Sequence, residues 1–157
     1  LSRGGKSNLK QARKKGVTVR CSTDETDVSA YYGLYRDTLE RWGDKTLQIY
    51  PESLFVNIMN MAGDAARLWL ADIEDTVVAG VVVFYWNQIA SYWHGASLRD
   101  YFSCYPNNML HMAIIEDAAQ RGFSHYDFGP SGGQEGVVRF KKSFGAEQKQ
   151  FYSLKLP

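Results

Sequence analysis

Residues 106–145 read PNNMLHMAIIEDAAQRGFSHYDFGPSGGQEGVVRFKKSFG. Pro106 suits the first position of a helix, where its missing N–H has no intrahelical partner to lose. Leu110, Ala113, Ile114 and Ala118 then fall on one stripe at three- and four-residue spacing, and Gly122 stops the run. This predicts a helix over 106–120. A short strand over 125–128 follows. The loop over 129–136 holds four glycines in eight residues, and one or two helical turns over 137–144 come next. The loop lacks the Lys-Ser/Thr ending of a P-loop. Asp127-Phe128-Gly129 matches a kinase magnesium triplet without the glycine loop, strand lysine or catalytic-loop partner of a kinase.

Upstream, three strands are predicted over 67–72, 77–86 and 89–96. Residues 77–86 form an uninterrupted apolar run of ten, the pattern of a central strand buried on both faces. Ten is half the length a membrane span needs, about 20 residues. Asn87 and Gln88 are a two-residue hairpin signal, and residues 97–106 read as a loop. Earlier still, Val28, Tyr31, Tyr32, Tyr35, Leu39 and Trp42 follow a 3.6-residue period, predicting an amphipathic helix over 27–42 that ends at Gly43. Thr23 to Asp27 supplies turn and capping chemistry. Pro51 opens a second helix, with Leu54, Phe55, Ile58, Met61 and Ala62 inward and Gly63 as its stop. Strands over 17–21 and 148–156 complete the pattern. The order, helix then β-α-α-β-β-β-α-β-α-β, specifies one α/β layered domain with a mixed sheet flanked by helices.

Composition agrees. With 157 residues, 45% apolar and 22 aromatic, the chain can bury a core, so disordered and low-complexity architectures are excluded. Two cysteines, Cys21 and Cys104, and three scattered histidines offer neither a disulfide scaffold nor zinc spacing, so no metal is expected. Reduced thiols point to a cytoplasmic setting. Charge is uneven: residues 1–20 carry seven cations and no acid, against 11 cations and 17 acids in the rest. Arg3, Lys6, Lys10 and Arg13 share one face of a predicted helix over 6–15, which could contact RNA phosphates or dock on an acidic neighbour. The chain opens at Leu1 rather than Met, which reads as a piece of a longer protein. Residues 1–16 are then a basic leader and 17–157 the domain.

The segment Gly122-Phe123-Ser124-His125-Tyr126-Asp127-Phe128-Gly129, followed by Phe140-Lys141-Lys142-Ser143-Phe144-Gly145, resembles the FemAB-like branch of the GNAT acyltransferase superfamily. Asn8 to Val17 also resembles the basic helix that leads into a second GNAT-like domain there. The resemblance spans nearly the whole chain. It implies a GNAT-like fold, the C-terminal half of a tandem, and transfer of an acyl or aminoacyl group to an amine of a cell-envelope or polysaccharide precursor. The pyrophosphate signature of ordinary GNAT enzymes, Q/R-x-x-G-x-G/A, is absent from residues 97–108, as it is in the FemAB-like branch. The donor is therefore left between acyl-CoA and aminoacyl-tRNA. A catalytically silent half that docks a partner domain is the rival reading.

Acyl transfer needs donors aimed at the oxyanion, a route for the amine proton and an anchor for the carrier. In such a sheet the strands over 89–96 and 125–128 splay and expose backbone N–H groups. By the resemblance Lys141 lies at the mouth of the site, where an ammonium can offset the charge of a tetrahedral intermediate; otherwise it is a solvated lysine. Asp127 either orients the acceptor amine or accepts backbone N–H groups of the glycine turn. His94 alternates with Tyr92, which predicts one shared sheet face and makes His94 a candidate base or a histidine held in an aromatic cluster. Tyr105, Asn107 and Asn108 stand where a helix N-terminus would hold the carrier's phosphate, the asparagines alternatively serving as caps. Phe140 stacks on a carrier base or, with Phe144, packs its helix on the sheet. His111 reads as structural, and Glu135 as a loop acid that lines the acceptor site or is solvated.

Overall fold

The computed structural model describes residues 1–22, 24–43 and 48–150. Helices begin where the sequence supplies caps. Ser2 Oγ accepts the Gly5 amide at 3.0 Å and opens α1 (Arg3–Lys14), three residues before the predicted start. Asp24 accepts the Thr26 amide at 2.7 Å and opens α2 (Glu25–Trp42). Thr23, the predicted start of that turn, lies outside the described residues. Pro51 immediately precedes α3 (Glu52–Ala62), Pro106 is the first residue of α4 (Pro106–Gln120), and α5 spans Glu135–Ser143. The predicted loop before α4 contains a 3₁₀ helix, Arg99–Cys104.

Among the described residues five strands form one sheet in chain order: β1 (Val17–Ser22), β2 (Ala66–Ile73), β3 (Thr76–Trp86), β4 (Ile89–Ser97) and β5 (His125–Asp127). The first four are an antiparallel meander and β5 joins β4 in parallel. Asn87 and Gln88 turn β3 into β4 with φ of 47° and 65°, the primed turn that matches strand twist. β3 is the middle strand, which explains its unbroken apolar run. Residues 151–156 of the predicted last strand lie outside the described residues, and 148–150 are in no strand.

Helices cover both faces. Val81, Val83 and Tyr85 of β3 pack with Leu110, Ile114 and Ala118 of α4, and Ala12 of α1 joins them. Val82 packs on the other face with Val28, Tyr31, Leu34 and Tyr35 of α2 and Phe55 and Met59 of α3. Two predicted inward residues face out: Trp42 is 51% and Met61 84% exposed. Leu34 and Met59 take the inward places, because the sheet covers only the stripe directly over it.

β4 carries the irregularity that governs the rest of the molecule. Val82 pairs with His94 and Val83 with Tyr92, so Trp93 is an extra residue. Such a bulge shifts the alternation of side chains by one. Tyr92 packs on His111 of α4, whereas Trp93 and His94 both pack on Phe55 of α3. The predicted shared face of Tyr92 and His94 is therefore corrected: they point to opposite faces.

Candidate active site

β5 is in register with β4 at only three positions, Ile89 with His125, Ala90 with Tyr126 and Ser91 with Asp127. Beyond Ser91 the strands part, because β4 runs on to Ser97 while the chain leaves at Phe128 and Gly129. Gly129 has φ of 67° and passes the Tyr92 carbonyl, where an added Cβ would sit 3.5 Å from that oxygen. The left-handed turn favours glycine, while the space around it would admit a Cβ at ordinary contact distance.

The parted strands open a cleft of about 520 Å³. Val81 and Tyr92, with residues 95–97, form its floor, and Asn107 and His111 of α4 one wall. Thr38, Arg41 and Trp42 of α2 stand at one end with Phe102, and Val137, Phe140 and Lys141 of α5 at the other with Phe128. Both helix ends are tied to Ser97: Arg41 donates to its carbonyl at 3.3 Å and Asn107 Nδ2 to its hydroxyl at 3.4 Å. A sequence-adjacent chamber of about 170 Å³, lined by Phe102, Phe140 and residues 105–108, lies at the N-terminus of α4.

Lys141 lines the cleft. Its Nζ donates to the carbonyls of Gly129 (2.6 Å) and Pro130 (2.9 Å), which fixes the glycine loop to α5. Partial burial lowers its pKa, and the Asp127 carboxylate opposes that shift. Phe140 lines both cavities and packs on His111 at 5.4 Å, with Phe144 5.2 Å away on the same helix. Packing therefore accounts for both rings, while Phe140 also faces the space a carrier would fill.

Tyr105 takes the left-handed conformation, φ 58°, at the junction of the 3₁₀ helix and α4. Its carbonyl accepts the amides of Asn108 (3.1 Å) and Met109 (3.4 Å), so of the N–H groups predicted to be free at 106–108 that of Asn108 is already bonded. No side chain caps α4, which corrects the reading of Asn107 and Asn108 as caps. Asn108 is 5% exposed and its Nδ2 has no partner among the described residues. A buried amide donor without an acceptor costs roughly 1–3 kcal/mol.

Three predicted residues sit elsewhere. Asp127 is exposed, does not line the cleft, and accepts the Gly129 amide at 2.8 Å, the turn-holding alternative. His94 is on the far side of β4 from Tyr92, where Nδ1 meets the Tyr31 hydroxyl and burial pushes the imidazole down to about 4. Glu135 opens α5 and is exposed. In their place the cleft contains Tyr92 and His111. His111 Nδ1 pairs with the Tyr126 hydroxyl at 2.8 Å; burial first, and then the Lys141 charge, push it down to about 3. The Tyr92 hydroxyl lies over Gly95, 2.8 Å from where a Cβ would be, and burial raises its pKa so that it stays protonated. The signal for His111 in the sequence was its place three residues before Ile114, on the buried stripe of α4.

Residues 3–142 match the family described as Acetyltransferase (GNAT) domain. Among solved structures, the fold is similar to that of FemX at a TM-score of 0.76 and 20% identity, over 92% of this chain and 54% of that one. It is also similar to an aminoglycoside acetyltransferase, meta-AAC0020, from an uncultured soil metagenomic sample, in complex with sisomicin. There the TM-score is 0.69 at 16% identity, over 90% of this chain and 99% of that one. A third likeness is aminoglycoside N-acetyltransferase AAC(6')-Iy in complex with CoA, with a TM-score of 0.70 and 12% identity, over 90% and 94% of the two chains. At these identities the likenesses show the fold alone. The chain spans about half the length of FemX. No curated protein sequence matches the chain.

Proposed function

From the premise that this chain belongs to the Acetyltransferase (GNAT) domain family, we propose that it moves an acyl or aminoacyl group from a carrier to an amine of a cell-envelope or polysaccharide precursor. The observation that carries the reading is the cleft between the parted ends of β4 and β5. A silent docking half would have that gap filled by side chains, and about 520 Å³ is open instead. The likeness to FemX supports the FemAB-like branch and a tandem parent, in which a preceding domain completes the acceptor site.

The residues divide the work by position. The chamber at Tyr105, Asn107 and Asn108, at the N-terminus of α4, receives the carrier's phosphate. Phe140 borders both spaces and packs against the carrier. Lys141 offsets the negative charge that develops on the acyl oxygen. Asp127 positions the glycine turn rather than the amine, and His94 takes no direct part. No residue assigned here requires a metal. The exposed basic face of α1, with Arg3, Lys6, Lys10 and Arg13, meets the preceding domain or the RNA of an aminoacyl-tRNA donor. RNA contact would make affinity fall steeply with salt.

Thermal-shift titration with acetyl-CoA and with an aminoacyl-tRNA mimic tests the reading and separates the donors. A true donor at a hundred times its dissociation constant adds roughly 2.7 kcal/mol of stability. No shift with either would overturn acyl transfer by this chain.

A further inference from the structure

Five aromatic rings surround His111. Tyr92, Tyr126, Phe128, Phe140 and Phe144 have their centroids between 5.1 and 5.9 Å from the imidazole, which is 6% exposed. A sixth apolar ring would serve packing better, since a buried polar group costs free energy unless it is bonded. The protein accounts for one of the two ring nitrogens: Nδ1 meets the Tyr126 hydroxyl at 2.8 Å. Nε2 has no partner among the described residues. The only sealed side chain nitrogen or oxygen without a partner there is Asn108 Nδ2, so Nε2 reaches open space, and the space His111 lines is the cleft.

The bond to Tyr126 fixes where the imidazole proton sits. Burial raises the phenol's pKa, so the hydroxyl keeps its proton. It has no other acceptor among the described residues, and donating to Nδ1 satisfies both groups. The ring nitrogen left to carry a proton is Nε2. Burial, and then the Lys141 charge, keep the ring neutral. Its place matters as much. Tyr126 lies in the paired stretch of β5, and Tyr92 is the first β4 residue beyond that stretch. His111 therefore stands under the point where the strands part.

We infer that His111 is a catalytic residue whose Nε2–H donates to the acyl oxygen, and that Tyr126 is the positioning residue that holds this tautomer. The inference rests on the acyl-transfer reading and adds a donor to it. As the amine nitrogen bonds to the acyl carbon, the carbonyl's π pair moves to oxygen, where Nε2–H meets the new charge. The pair returns as the bond to the carrier's sulfur or oxygen breaks, and the amine proton leaves with that atom. His111 keeps its own proton throughout, as suits a ring too weakly basic to take another. A neutral imidazole fixed in place is an effective donor to a forming oxyanion. Lys141 works beside it: two of its N–H groups hold the Gly129 and Pro130 carbonyls, and an ammonium has a third.

The test reads the histidine ring nitrogens of the ¹⁵N-labelled full chain by NMR, with the His111 signals identified from His111→Gln. Without ligand, His111 should be the neutral Nε2–H tautomer, and Tyr126→Phe should turn it into a mixture of tautomers. The Nδ1–H form or an imidazolium at pH 7 would overturn the proposal. Acetyl-CoA and 3′-alanylamino-3′-deoxyadenosine are then titrated beside CoA and 3′-amino-3′-deoxyadenosine, which lack the acyl group. One acylated probe should move the Nε2 signal and bind about three- to tenfold more tightly than its deacylated partner, the scale of one hydrogen bond. His111→Phe should abolish that ratio and leave the deacylated probe's affinity unchanged. His111→Gln, which keeps an N–H, should retain part of the ratio. A packing role predicts the opposite order, because Phe suits a cage of rings and Gln does not. His94→Gln should leave the ratio as it is. An acylated probe that binds with Nε2 unmoved, or a ratio that survives His111→Phe, would overturn the role of His111 and leave acyl transfer standing. Binding of neither acylated probe would overturn the acyl-transfer reading and this role with it.

Discussion

His94 and His111 are alike in almost every local respect. Each is largely buried, each meets a tyrosine hydroxyl through Nδ1, and each has its pKa pushed down by burial. They differ in which side of β4 they stand on. His94 is closed in by Tyr31, Tyr35, Tyr50 and Phe55 between the sheet and the helix pair α2 and α3. His111 faces Tyr92, Phe128 and Phe140 across the parted strands. The contrast teaches that side chain chemistry and burial do not mark a site on this fold. Access does, and access is set by where β5 stops and where β4 bulges.

The sharpest test of that division is on the cleft side. In the active parent protein Lys141→Ala should lower turnover about 10²–10³-fold, the scale of one lost oxyanion donor. Lys142→Ala, about 100° further round α5, should cost little. Equal rates for both variants would make Lys141 only the clamp that holds the Gly129 and Pro130 carbonyls.

Acid should next affect both sides alike. A histidine with a folded pKa below its unfolded value near 6.5 binds its proton more readily in the unfolded chain. Its contribution is therefore intact above pH 6.5 and lost as pH falls towards the folded value. For His94, from 6.5 to about 4, the loss by pH 4 is about 3 kcal/mol. Denaturant unfolding at stepped pH should show the decline. His94→Gln should reduce it, with His111 supplying the remainder, while leaving cleft ligands bound, and an unchanged slope would show that His94 is not a titrating group.

Two glycines separate packing from access. A Cβ on Gly80 would lie 2.5 Å from a ring carbon of Tyr31 and 2.9 Å from Leu70, in the sealed core. Gly80→Ala should cost about 1–3 kcal/mol by overpacking. A Cβ on Gly95 would meet the Tyr92 hydroxyl, the far end of a side chain beside open space. Gly95→Ala should cost under about 1 kcal/mol in stability but impair donor or acceptor binding in the cleft. The reverse ranking in a melting experiment would break the division.

The smallest effect is expected at Trp42. Its period placed it on the inner stripe of α2, yet it is half exposed at the cleft mouth. Trp42→Ala should shift stability by only about 0.5 kcal/mol, where Leu34→Ala on the true stripe should cost about 2–5.

Local rules were enough for the elements. Capping residues, two-residue turn chemistry and the 3.6- and 2-residue periods placed every α-helix and strand among the described residues to within a few positions, though not the 3₁₀ helix Arg99–Cys104. They also placed Lys141 and Phe140 on one short helix after a glycine loop, and Asn107 and Asn108 at the start of a long one. Those signals depend on neighbours within about four positions, so one dimension suffices. The bulge at Trp93 does not. It appears only when β4 is set in register against β3, and nothing in Ser91-Tyr92-Trp93-His94-Gly95 announces it. One extra residue turned His94 to the α2 and α3 side of the sheet and left Tyr92 over Gly95. Likewise, Asp127 and Lys141 are both polar residues near glycines, but only the packing of α5 on His111 and Phe128 turned Lys141 to the cleft, while Asp127 holds its own turn. Composition and period determined the layers of this protein. Strand register and the point where two strands part determined which of its side chains share a site, because those depend on contacts between residues far apart in the chain.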